Sequence, residues 1–79
     1  MSNLKELLTY IAQNLVDNPD DVSVTERETD SETVYELRVN SSDMGKVIGR
    51  GGRIAKEIRA LMRSVAQRHG KRISVDILD

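Results

Sequence analysis

Three glycines fall within four positions of the stretch from Lys46 to Ile58, at Gly49, Gly51 and Gly52, with Arg50 between them and Arg53 directly after. The chemistry such a stretch can perform is to hold a phosphate. Glycine lets the backbone approach a ligand closely. Where a helix starts directly after the glycines, its unpaired first-turn N–H groups and the positive end of its dipole face the anion. Lys46, Arg50 and Arg53 add net positive charge beside them. Val47 and Ile48 lead in, and Ile54, Ile58, Leu61, Met62 and Val65 lead out at helical spacing.

Known phosphate loops narrow the reading. A Walker A loop ends in Gly-Lys-Ser/Thr; Gly45-Lys46 is followed by Val47 and Gly70-Lys71 by Arg72, so neither qualifies. A dinucleotide fingerprint beginning Gly49-x-Gly51 needs glycine at position 54, where the chain has Ile54. What fits is G-x-x-G from Gly49 to Gly52, in the frame V-I-G-x-G-G-x-x-x-K-x-I. This resembles the signature of the KH domain, whose GxxG loop clamps about four nucleotides of a single strand. A plain helix–helix turn with solvated arginines is the competing reading, and it does not call for an apolar lead-in and basic residues inside the loop.

The charge distribution agrees. Net charge is −1 over 79 residues. Residues 1–43 carry ten acidic and three basic groups, giving −7, whereas residues 44–72 carry nine basic groups and Glu57 as sole acid, giving +8. Residues 73–79 add −2. A positive half centred on the glycine loop is the footprint of a polyanion site. Part of that charge, at Lys56, Arg59 and Arg63, lies opposite the apolar stripe of its helix and is expected to face water.

The elements that must position the loop are legible around it. Leu4, Leu7, Leu8, Ile11, Ala12 and Leu15 follow the helical period, so a first helix is expected over about 3–16, capped by Ser2 or Asn3 and stopped by Asn18-Pro19. Asp20-Asp21 reads as turn chemistry after proline in preference to a metal site. Residues 22–29 and 33–39 read as strands of a hairpin around Asp30-Ser31-Glu32, the second half of the first projecting into solvent. Tyr35 is expected in the core with its hydroxyl at the rim. Asn40 to Asp43 supply a turn and an N-cap, Met44–Ile48 a short helix ended by Gly49, residues 53–68 a long helix ended by Gly70, and residues 73–77 a third strand.

The resulting order, α-β-β-α-α-β, matches the type II KH domain, and the resemblance covers the whole chain, 1–79, as one domain. The expected fold class is therefore α+β, a three-stranded sheet packed on one side by three helices. A stand-alone unit of this size resembles the small bacterial RNA-binding proteins of the KhpA family. The resemblance implies that Gly49, Arg50, Gly51 and Gly52 clamp the sugar-phosphate backbone, that Ile48, Ile54 and Ala55 line the base groove, that Lys46 and Arg53 supply flanking charge, and that Lys71 and Arg72 close the far side. Ala55 stands where KH domains usually carry a larger aliphatic residue. It further implies non-catalytic binding of single-stranded RNA, as an RNA chaperone or post-transcriptional regulator. The implied partner is a second copy or another KH protein of the Jag (KhpB) type. The competing function is a protein-interaction module that kept the fold without RNA.

The remaining chemistry is sparse. His69, the sole histidine, has no nucleophile or orienting acid in any motif, so no enzyme is expected. No cofactor or metal motif is present. Phe and Trp are absent and Tyr occurs twice, which argues against the aromatic stacking platforms of other RNA-binding folds. Absence of cysteine, of a signal peptide and of a long apolar run suits a cytoplasmic protein.

Overall fold

Residues 3–78 are described in the structure, a computed structural model. Helix α1 spans Asn3–Leu15 and turns Leu4, Leu8 and Ala12 inward. Their spacing of four puts them on one face of a helix. The cap expected of Ser2 or Asn3 lies outside the described residues and side chains. Proline ends the helical path: Pro19–Asp21 is a 3-10 turn, closed by Asp21 N–H to the Asn18 carbonyl at 3.0 Å and Val22 N–H to the Pro19 carbonyl at 3.2 Å. The two aspartates are thus turn residues, as their sequence suggested.

Strands β1, Ser23–Glu28, and β2, Thr33–Arg38, pair antiparallel, with Val24 opposite Leu37 and Glu26 opposite Tyr35. The hairpin closes through Thr29, whose N–H reaches the Glu32 carbonyl at 2.8 Å and whose Oγ1 accepts from the Ser31 and Glu32 N–H groups. Strand β3, Ile73–Leu78, pairs parallel to β2, with Tyr35 opposite Val75. A parallel neighbour requires a crossover, and helices α2, Met44–Ile48, and α3, Arg53–Arg68, provide it. The element order is the one expected, and β2 is the central strand.

Alternation along the strands gives the sheet one apolar face. Val24, Tyr35, Leu37, Ile73 and Val75 join Leu4, Leu8 and Ala12 of α1, Val47 of α2, and Ile58, Met62 and Ala66 of α3 in a single buried cluster. Three helices on one face of three strands is the expected packing. Tyr35 departs from expectation: only 1% of it is exposed, so its hydroxyl does not reach the rim. The reason is its place at the middle of the central strand, opposite Val75 and inside the cluster. The second half of β1 is exposed as expected.

A candidate nucleic-acid interface at the glycine loop

Helix α2 lasts five residues and stops because the chain turns into a conformation that favours glycine: Gly49 has φ 76° and ψ 174°, and its N–H still reaches the Gly45 carbonyl at 2.9 Å. Arg50–Gly52 then forms a tight 3-10 turn in which Gly51 and Gly52 also have positive φ, at 64° and 77°. Gly52 N–H bonds the Gly49 carbonyl at 3.1 Å, which closes the loop on itself. Three left-handed residues in four positions explain the glycine pattern, because a Cβ in this region costs about 1–2 kcal/mol.

Arg53 opens α3, and no side chain caps that helix N-terminus. Arg50, Gly51 and Arg53 are exposed, while Gly49, Gly52, Ile48 and Ile54 are half-buried. The Arg53 N–H donates to the Arg50 carbonyl, and the helix N-terminus without a side-chain cap, an exposed glycine tip and two exposed arginines together form a site that can accept an anion. Ala55 is different. It is 4% exposed and offers almost no surface to a ligand, so the apolar surface beside the loop comes from Ile48 and Ile54.

Lys46 lies on α2 with its ammonium 3.3 Å from the Asp17 carboxylate, an exposed ion pair that ties α2 to the end of α1. A second tie beside it is buried. Asp43 is 1% exposed, and its carboxylate accepts from Asp17 N–H at 3.2 Å, from Asn18 N–H at 3.0 Å and from the Asn18 side-chain amide at 3.0 Å. Desolvation works to raise its pKa. The Asn18 amide, the two backbone N–H groups and nearby Lys46 outweigh it, and the group titrates below the usual aspartate value. The sequence suggests Asn40–Asp43 as turn and N-cap, and the work is divided between two residues. Asn40 accepts from Ser42 N–H at 2.9 Å and caps the 3-10 turn Ser41–Asp43, while Asp43 makes no side-chain cap to α2. A partner 25 residues away leaves no local pattern, so nothing near Asp43 in sequence announces this role.

One basic group sits elsewhere than expected. Arg59 does not face bulk water; its Nε donates to the Val75 carbonyl at 3.0 Å, bracing α3 against β3. β3 is an edge strand, and that carbonyl has no further strand to pair with. Lys71 and Arg72 are exposed in the turn between α3 and β3. That turn is at the opposite end of the 16-residue α3 from the glycine loop, about 24 Å away at about 1.5 Å per residue. The structure brings Lys46, Ile48, Gly49, Arg50, Gly51, Gly52, Arg53 and Ile54 together and leaves Lys71 and Arg72 apart. His69 ends α3, exposed, with its N–H on the Ala66 carbonyl.

The sequence pattern of the family described as KhpA/KhpB, KH domain matches residues 5–77. The chain belongs to the KhpA/KhpB KH-domain family. Proteins named RNA-binding protein KhpA agree along its length. The one from Listeria monocytogenes is 45% identical over 76 residues, 96% of this chain and all of the relative. That from Aquifex aeolicus is 44% identical over 79 residues, all of both chains. That from Clostridium acetobutylicum is 47% identical over 75 residues, 95% of this chain and all of the relative. Among solved structures, Aquifex aeolicus Era superposes with a TM-score of 0.67 at 20% identity, covering 94% of this chain and 29% of that one. This last likeness shows the fold alone, within a larger protein. Among the described residues no helix is long and apolar enough to cross a membrane.

Proposed function

We propose that this KhpA/KhpB KH domain binds single-stranded RNA without catalysis, at the loop Gly49–Gly52. The observation that carries the reading is the run of positive-φ glycines, exposed at its Gly51 tip, opening onto an α3 N-terminus that no side chain caps. Backbone N–H groups and Arg50 hold phosphates there, Arg53 and Lys46 add charge, and Ile48 and Ile54 receive the bases, with Ala55 buried behind. The relatives named RNA-binding protein KhpA support RNA as the polyanion. The interaction-module reading calls for no basic loop with all its glycines, and this loop has both.

The chain, 1–79, acts as one KH unit. A single four-nucleotide site gives little affinity or information, and coupling two grooves raises affinity by about 10²–10⁴ where geometry permits. The second groove comes from another chain, either a copy or a KH protein of the KhpB (Jag) type, and the cellular role is that of an RNA chaperone or post-transcriptional regulator in the cytoplasm. The test is a titration of labelled single-stranded and duplex RNA over a range of salt. Preference for the single strand, with log K falling against log salt at a slope of about −1.5 to −3, is expected from two to four phosphate contacts at about −0.7 each. Equal binding of both forms contradicts a KH groove.

A further inference from the structure

We propose that the acidic β1–β2 hairpin is a specificity element that rejects duplex RNA and leaves the single strand as the form bound. The inference rests on the RNA reading above and names the residues that set its strand preference. Residues 26–32 carry Glu26, Glu28, Asp30 and Glu32 against Arg27 alone, giving −3. Arg27 is turned onto Glu36, its Nε 3.5 Å from the carboxylate. Glu28 and Asp30 are exposed and Glu32 is half-buried. Neither ion pair found among the described residues uses these three, so their charge is open to an approaching polyanion.

The hairpin holds these charges in a fixed place. Thr29 Oγ1 donates to the Glu32 carbonyl at 2.9 Å, which tightens the turn between the strands. Glu28 accepts from Thr33 Oγ1 at 2.8 Å, and Glu32 accepts from Ser74 Oγ at 3.1 Å. Thr33 N–H bonds the Arg72 carbonyl at 3.0 Å and ties the hairpin to the turn between α3 and β3. Glu28, Asp30 and Glu32 line one side of an open cleft of about 430 Å³, with Gly70, Lys71 and Arg72 on the other. The acids therefore stand at the far end of α3, about 24 Å from the glycine loop at about 1.5 Å per residue.

Distance and stiffness decide which RNA meets them. At physiological salt, charges more than about 8–10 Å apart are largely screened, so the acids do not act at the loop itself. A strand of about four nucleotides stays at the loop, and a longer single strand is free to bend away. A duplex is a rod. With one phosphate per about 1.7 Å of axis, twelve base pairs run about 40 Å. That exceeds the protein's own longest extent of 34 Å. Laid along α3, where Lys56 and Arg63 are exposed, the rod overruns the turn and brings both its strands against the hairpin. Laid across α3, it meets the loop alone and gains nothing from the remaining cations. Twice the phosphate density of a single strand is then set against fixed carboxylates, and repulsion of the wrong form is a direct route to specificity.

The experiment titrates a fluorescein-labelled twelve-nucleotide RNA, as a single strand and as its blunt duplex, with the parent and with the triple variant Glu28→Gln, Asp30→Asn, Glu32→Gln. The replacing amides keep an acceptor oxygen for Thr33 and Ser74, and a thermal melt of each sample establishes that it is folded. At about 0.01 M salt, where the Debye length is about 30 Å, we expect the variant to bind duplex about tenfold more tightly than the parent does. Its affinity for the single strand should stay within about twofold. At about 0.1 M salt, where the Debye length is about 10 Å, the gain on duplex should shrink to about threefold. Asp30→Asn alone, at an exposed turn position, should give a gain of about twofold at the lower salt. Folded variants that keep the parent's whole preference for the single strand overturn the role of the hairpin and leave the loop assignment standing. An equal gain for both forms does the same, since it is the mark of net charge alone. A parent that binds duplex as tightly as single strand overturns the RNA groove, and this inference with it.

Discussion

A Cβ placed on Gly49 would stand 2.7 Å from Cγ1 of Ile54. The first glycine of the loop and the second residue of α3 are thus packed so closely that only hydrogen fits between them. The same test finds open space at Gly51 and Gly52, although both have positive φ. Gly49→Ala therefore carries backbone strain and overpacking together, about 2–5 kcal/mol. Gly51→Ala carries strain alone, about 1–2 kcal/mol. Thermal melts of the two variants are expected to rank them in that order, separated by several degrees. Equal melting temperatures would show that Ile54 yields freely.

The carboxylate of Asp43 gives the fold a pH dependence. Its folded pKa is depressed, so its contribution is fully present above the unfolded value, 3.8, and is lost as pH falls through the folded one. Asp43→Asn removes the charge and presents an amide to N–H donors. The variant is expected to melt roughly 5–15 °C below the parent at pH 7, with the gap narrowing below pH 4 as the parent loses its own carboxylate. A gap that stays constant from pH 7 to pH 3 would contradict the role given to this group.

Lys46 separates stability from binding. Its pair with Asp17 is exposed and worth no more than about 1 kcal/mol. Lys46→Gln should leave the melt within a few degrees of the parent. It should also make the salt slope of RNA binding shallower by about 0.7 if the ammonium reaches a phosphate. An unchanged slope would assign Lys46 to the α1–α2 contact alone.

Much of this was legible in the sequence because it is written locally. The spacing of Leu4, Leu8 and Ala12, the break at Pro19, the alternation through Tyr35 and Leu37, and the glycines from Gly49 to Gly52 each encode their geometry within a few residues, and the observed helices and strands end within about a residue of the expected positions. What stayed hidden depends on tertiary contact. Asp43 reaches back 25 residues to Asn18, and Arg59 crosses 16 residues to Val75. Composition shows only a charged side chain in each case. The separation of Lys71 and Arg72 from the loop follows from the length of α3, since adding charges along the sequence says nothing of how far apart a straight helix holds them.

The central claim is that the exposed tip of the loop receives an RNA phosphate backbone. It is tested most directly by replacing Arg50 and Gly51 together with aspartate, which changes the local charge by −3. Both positions are exposed, and a side chain at 51 meets nothing within 4 Å, so the variant should keep its fold at a cost of about 1–2 kcal/mol for the positive φ. The measurement is a titration of single-stranded RNA, with a thermal melt of the same sample to establish that it is folded. The account predicts a cooperative melt and binding weakened beyond detection, because two carboxylates occupy the approach to the α3 N-terminus. A folded variant that binds RNA with the affinity of the parent would contradict it.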